Sequence, residues 1–245
     1  MVAGGAGFVG SHLVDVLMQQ GHQVTVLDNF FTGSKRNIEH WLGHHNFELI
    51  HHDIVNPFFI EGESGADVAP ELCSRPAFHV HVEHLDIRVA RVFNTYGPRM
   101  HPNDGRVVSN FILQALQNEP ITIYGSGKQT RSFQYVSDLV DGLVSLMNSS
   151  YTQPVNLGNP HEHTIEDFAK IIKTLVGGTS KIVYTDKVED DPQRRKPDIT
   201  RAKTELKWEP KVELQDGLKK TVEYFREELN KNSKSFRNPP SVGQA

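Results

Sequence analysis

Seven residues near the start of the chain, Gly4-Gly5-Ala6-Gly7-Phe8-Val9-Gly10, have the types and spacing to hold a pyrophosphate. Two glycine triplets overlap there, Gly4/Gly7/Gly10 and Gly5/Gly7/Gly10. Glycine permits a tight turn, lets backbone approach a diphosphate, and lets the next helix pack close to the sheet. A helix is expected from near Ser11, with Val14, Leu17 and Met18 as its apolar stripe and Gly21 at its end. Its free N–H groups would face the anion. Gln23-Val24-Thr25-Val26-Leu27-Asp28 reads as a short apolar strand ending in an acid. Asp28 lies 18 residues beyond Gly10, close to the ~20 expected of a ribose-binding carboxylate. A carboxylate there accepts from ribose hydroxyls and repels a 2′-phosphate, which favours NAD over NADP. A second strand, Phe47-Glu48-Leu49-Ile50, runs into His51-His52-Asp53. Asp53 could bond an adenine amino group or simply cap the strand end. The turn should follow a buried strand of about five residues, yet only Met1-Val2-Ala3 precede Gly4.

Other residue sets offer less chemistry. The chain's one Tyr-x-x-x-Lys is Tyr124 to Lys128, and Gly125-Ser126-Gly127 between them reads as a loop. A catalytic pair needs a helical turn to bring both side chains to one face, so no catalytic residue is expected here. His79, His81 and His84 fit neither an i, i+4 pair nor a zinc finger, and His44/His45, His51/His52 and His161/His163 fare no better. No metal site is expected. The single cysteine, Cys73, excludes an internal disulfide.

These groups need elements to position them. The 245 residues carry 26 Lys+Arg against 30 Asp+Glu, a net charge of −4, which argues against a generally basic nucleic-acid binder. No apolar run approaches the ~20 residues of a membrane span, and the first residues do not read as a signal peptide or membrane anchor. Between Glu61 and Asp86 no period is sustained, and Pro70 and Pro76 break any helix. Apolar stripes beyond it predict helices through Val107–Leu116, Val136–Leu146 and Ile165–Leu175, the last behind a capping box at Thr164-Ile165-Glu166-Asp167. Short strands are expected at 121–124, 154–157 and 181–184, and a last helix over about 214–230 with Leu218, Val222 and Phe225 inward. Residues 231–245, rich in Asn, Ser and Pro, read as a disordered tail.

Longer motifs resemble a known family. The glycine turn, Asp28-Asn29-Phe30-Phe31-Thr32-Gly33 and Arg91-Val92-Phe93-Asn94-Thr95-Tyr96-Gly97-Pro98-Arg99-Met100 resemble the extended short-chain dehydrogenase/reductase superfamily. Asp104-Gly105-Arg106-Val107-Val108-Ser109-Asn110-Phe111, Tyr124-Gly125-Ser126-Gly127-Lys128-Gln129-Thr130-Arg131 and Asp191-Pro192-Gln193-Arg194-Arg195-Lys196-Pro197-Asp198 narrow the resemblance to its UDP-glucuronate decarboxylase (UDP-xylose synthase) family. The resemblance covers residues 2–60 and 86–230.

That resemblance implies an α/β fold: an incomplete NAD-binding Rossmann domain, a doubly wound parallel sheet, with a smaller mixed α/β substrate lobe. Residues 1–60 would be the first part of the cofactor domain and 61–86 an irregular segment in place of the catalytic region. Residues 87–230 would be the remaining Rossmann strand and the UDP-sugar lobe. In the family, NAD⁺ oxidises the sugar C4 hydroxyl, the 4-keto acid loses CO₂, and the bound NADH reduces C4 again, giving UDP-xylose. A tyrosine base, a lysine and a Thr/Ser-x-Glu element perform this; none survives in residues 61–86. Carried over, Gly4, Gly7, Phe8, Val9 and Gly10 line the pyrophosphate. Asp28, Asn29, Phe31, Thr32 and Gly33 hold the adenosine ribose, and Asp53 and Ile54 flank the adenine. Thr95, His101 and Arg106 stand at the nicotinamide end, and Phe58 and Phe59 beside the substrate. Asn94, Tyr124, Arg131 and Arg195 match the UDP-clamping set. The implied ligands are NAD and UDP-glucuronate or UDP-xylose, in the cytoplasm or Golgi lumen. The family homodimer is built on the helix bearing the tyrosine and lysine, which this chain lacks. The expectation is therefore a member of the family without turnover, or a shortened form acting only by nucleotide binding or association.

Overall fold

The computed structural model describes residues 1–56, 86–102, 104–186 and 194–237. Phe58, Phe59, Cys73, His79, His81, His84 and nearly all of the irregular 61–86 stretch lie outside them.

Along the chain run β1 (Val2–Ala3), α1 (Phe8–Gln19), β2 (Val24–Asp28), β3 (Phe47–His51), β4 (Ala90–Val92) and β5 (Thr95–Tyr96). Then come α2 (Val107–Leu116), β6 (Ile121–Tyr124), β7 (Thr130–Ser132), β8 (Gln134–Tyr135), α3 (Val136–Met147), β9 (Val155–Leu157) and β10 (Glu162–Thr164). The series closes with α4 (Ile165–Val176), β11 (Ile182–Thr185), β12 (Arg194–Arg195), α5 (Thr200–Glu205) and α6 (Leu214–Arg237). The chain forms two compact units that interleave in sequence. The first takes Met1–Thr95, Phe133–Pro160 and Pro197–Val212; the second takes Tyr96–Ser132, His161–Lys196 and Glu213 onward.

The first unit is α/β and holds parallel strands in two separate groups. β1, β2 and β3 form one parallel sheet with β2 central. β4 and β9 form a parallel pair, Ala90 opposite Val155 and Val92 opposite Leu157. Their shared core is made by α3: Leu139, Leu143 and Leu146 pack on Val155, Leu157, Ile199, Ala202 and Trp208, with Val9 and Ala90 against them. Asp138 locks the last segment in place, its carbonyl accepting from Trp208 Nε1 at 2.9 Å and its carboxylate from the Val212 amide at 3.0 Å.

The second unit is built on helices. α4 packs on α2 and α6, with Phe111 and Phe168 rings 6.4 Å apart and Ile112, Phe168 and Phe225 wholly buried. Thr164 caps α4 as expected: its Oγ1 accepts from the Asp167 amide at 3.0 Å and donates to the Asp167 carboxylate at 2.7 Å. β6 pairs with β11, and β7 lies between β10 and β12. α6 runs seven residues past the expected end at 230, to Arg237, so the first residues of the expected tail continue the helix. No proline falls between Leu214 and Pro239, and Lys231 Nζ pairs with Glu228 one turn back at 2.9 Å. Among the described residues, no helix is long and apolar enough to cross a membrane.

Candidate functional site

The glycine turn of the first unit is sterically fixed. A Cβ on Gly10 would stand 2.2 Å from the Gly4 carbonyl oxygen, and Gly4 itself has φ +68°. Neither position tolerates a side chain: one lacks space, the other needs the left-handed region. Helix α1 begins at Phe8, three residues before the expected Ser11, because Gly10 serves close packing inside the first helical turn and not the bend itself. Among the described residues no side chain caps this helix, which leaves its first amides with capacity for an anion. Val9 packs its side chain on the α3 core and leaves only backbone to the turn.

Asp28 closes the turn from the strand side. Its carboxylate is buried at 6% exposure and accepts from the Ala6 amide and the Phe30 amide, at 2.8 Å each. A carboxylate offers about four acceptor positions, so capacity for ribose hydroxyls remains. Gly33 lies hard against it: a Cβ there would be 2.8 Å from Asp28 Oδ1. Asn29 bridges outward, donating to Asp53 Oδ2 at 3.0 Å and accepting from the Phe31 amide at 3.0 Å. That bond, with the Val55 amide, holds the Asp53 carboxyl below its ordinary pKa. Phe31 stands 89% exposed, with Ile54 at 43% and Thr32 also exposed. These dimensions fit the adenosine half of NAD: a backbone cradle, a charged acceptor at a strand end, and uncovered apolar surface beside it.

At the carboxyl ends of β4 and β9, Thr95 is buried and its hydroxyl donates to the Phe93 carbonyl at 2.8 Å. Asn94 is exposed, and its carbonyl accepts from the Gln134 amide.

In the second unit, Arg131 and Arg195 are register partners on the adjacent parallel strands β7 and β12. Arg131 is 7% exposed and donates to the Thr130 carbonyl at 2.7 Å. Tyr124, at the end of β6, is 53% exposed. Lys128 is not one helical turn from it: the left-handed Gly125 and Gly127, φ +75° and +71°, make the stretch a loop. Arg106 precedes α2 and lies 3.6 Å from Asp104, and His101 is exposed. No group of three metal-ligating side chains occurs among the described residues; His40 instead pairs with Asp15 at 2.7 Å.

Two positions escaped the sequence reading. Asn37 donates to the Ala6 carbonyl at 2.8 Å, and the Ser34 amide adds a second bond at 3.0 Å, tying residues 34–37 to the glycine turn. Gln134 is wholly buried among the ends of β4, β5 and β9. Both bond to partners far off in sequence, which no spacing pattern reports.

Comparison with known proteins follows the same outline. The family model described as GDP-mannose 4,6 dehydratase matches residues 1–62 and 78–221. UDP-glucuronic acid decarboxylase 1 of Xenopus tropicalis is 48% identical, over 94% of this chain and 72% of its own length. UDP-glucuronic acid decarboxylase 3 of Arabidopsis thaliana is 39% identical, over 94% of this chain and 90% of its own. The frog match spans 304 residues, whereas 94% of this 245-residue chain is about 230. Among solved structures, a UDP-glucose 4-epimerase of Thermotoga maritima, with UDP-glucose, superposes with a TM-score of 0.75 at 26% identity, covering 93% of this chain and 98% of its own. A UDP-glucuronic acid 4-epimerase of Bacillus cereus, in complex with UDP-glucuronic acid and NAD, gives 0.75 at 22% identity, covering 92% and 98%, and shares the fold.

Proposed function

The chain belongs to the GDP-mannose 4,6 dehydratase family and, within it, to the UDP-glucuronic acid decarboxylases, and we propose that it binds NAD and a UDP-sugar without turning the sugar over. The observation that carries the binding half is the union of the Gly4–Gly10 turn with Asp28, two features whose spacing and contacts suit one dinucleotide. The uncapped amides of α1 take the pyrophosphate. Asp28 takes the ribose hydroxyls and, by its charge, disfavours a 2′-phosphate. Asn29 and Asp53 flank the adenine, with Ile54 and the exposed Phe31 offering it apolar surface. Thr95 of the first unit serves the nicotinamide end. In the second unit the register pair Arg131 and Arg195 supplies paired donors to the UDP diphosphate, with Tyr124 of the same unit as a further donor. NAD, when bound, supplies a reversible hydride acceptor for the sugar C4.

The reaction also needs a base for the C4 hydroxyl. A tyrosine on one helical turn with a lysine does this in the family, and Tyr124/Lys128 does not reproduce it, because two left-handed glycines separate them. Without the base, the sugar is held and not oxidised. The test is purified chain with UDP-glucuronate and NAD⁺, product separated by chromatography, alongside calorimetric titration with NAD⁺ and with UDP. Binding of both and no UDP-xylose is expected. UDP-xylose formation lost on Tyr124→Phe would overturn the account, as would failure to bind either nucleotide.

A further inference from the structure

Gln134 is a wholly buried amide that no apolar pattern explains. Its Nε2 donates to the Leu157 carbonyl at 2.9 Å and to Thr95 Oγ1 at 3.1 Å, with the Phe93 carbonyl a more distant acceptor at 3.4 Å. The orientation is fixed by chemistry: turning the amide over would set Oε1 against the Leu157 carbonyl, acceptor against acceptor. In this orientation Oε1 is buried and, among the described residues, lacks a hydrogen-bond partner. An unsatisfied buried acceptor is costly, and a leucine or methionine would avoid it. The donor side of the amide is what the fold retains.

The consequence falls on Thr95. Its hydroxyl hydrogen is committed to the Phe93 carbonyl at 2.8 Å, and one lone pair is taken by Gln134. A hydroxyl has one hydrogen and two lone pairs. What Thr95 has left is a single acceptor position, at the carboxyl ends of two parallel strands, where α/β folds bind their ligands.

Resting on the reading of an NAD site in this unit, we propose that Gln134 is a positioning residue that holds Thr95 as a hydrogen-bond acceptor, so that the site selects a pyridine nucleotide whose ring substituent donates an N–H. The carboxamide of NAD donates; an acetyl group in its place does not. Thr95 thereby reads the substituent, and Gln134 sets the sense in which it reads.

Equilibrium binding to the full chain tests this with four probes: NAD⁺, its thionicotinamide analogue, 3-acetylpyridine adenine dinucleotide and ADP-ribose. NAD⁺ and the thio analogue should bind about tenfold more tightly than the acetyl analogue, the size of one net hydrogen bond. Thr95→Val and Gln134→Met should each bring that ratio close to one, with ADP-ribose affinity unchanged within about twofold and no further loss in the double variant. If Gln134→Met does not fold, Gln134→His is read in its place, since a neutral imidazole has one N–H and cannot serve both Leu157 and Thr95. A ratio of one in the unaltered chain, a ratio kept in the Gln134 variant, or a parallel loss of ADP-ribose would overturn the proposal. An unaltered chain that binds ADP-ribose and NAD⁺ equally sinks this inference alone; one that binds neither sinks the NAD reading beneath it.

Discussion

The two groups of parallel strands in the first unit are finished differently. The β1–β2–β3 sheet ends in a closed arrangement, in which the glycine turn, Asp28 and Gly33 touch one another and Asn37 ties the next segment back to Ala6. The β4–β9 pair is closed at its carboxyl end by Gln134 but, among the described residues, open along its side. Among the described residues β4 has β9 as its one strand neighbour, and Ile87, Val89 and Val92 stand 43%, 41% and 40% exposed. The glycine turn is held by contacts within one turn and at a strand end, whereas among the described residues the β4–β9 pair stands with no further strand beside it.

The largest expected effect falls on the closed side. Gly10→Val drives a side chain into the Gly4 carbonyl, and should abolish NAD⁺ binding and cost about 3 kcal/mol in urea unfolding. An unaltered titration would mean that the turn is not the cradle. Next is Asp28→Asn, which sets an amide hydrogen against a backbone donor. It should cost about 2 kcal/mol and weaken NAD⁺ roughly tenfold, both read from one chemical melt with and without ligand. The open side should respond less. Val92→Thr should change stability by no more than about 0.5 kcal/mol, as for an exposed site; a cost near that of a buried valine would show the strand to be covered in solution.

The smallest effect is a pH dependence. The Asp53 carboxyl is held below its ordinary pKa by Asn29 and the Val55 amide. A lowered carboxyl contributes stability that is complete above its unfolded pKa and lost as pH falls through the folded one. Unfolding midpoints measured from pH 7 down to pH 3 should therefore fall slightly more in the native chain than in Asp53→Asn. Identical acid limbs would remove Asp53 from the account.

What was legible in the sequence follows the range of the forces involved. Thr164 acts within one turn, so its capping role can be read from spacing, and for Gly10 and Asp28 spacing points to the glycine turn and the strand end where they stand. The onset of α1 was misread because a glycine inside a helix looks like a turn residue until its contact with Gly4 is seen. The reach of α6 was misread because Asn and Ser suggest a tail, whereas the buried Leu218, Val222 and Phe225 anchor the helix behind them. Gln134 was invisible because its partners come from residues 93, 95 and 157, brought together only by the β4–β9 pairing.

The most direct test of the central claim is calorimetric titration of the full chain with NAD⁺ at neutral pH, with Gly10→Val as the matched control and circular dichroism to verify folding of both. The account predicts one saturable site in the native chain and none in the variant. A folded native chain that gives no binding heat, or a variant that binds as the native chain does, would contradict it.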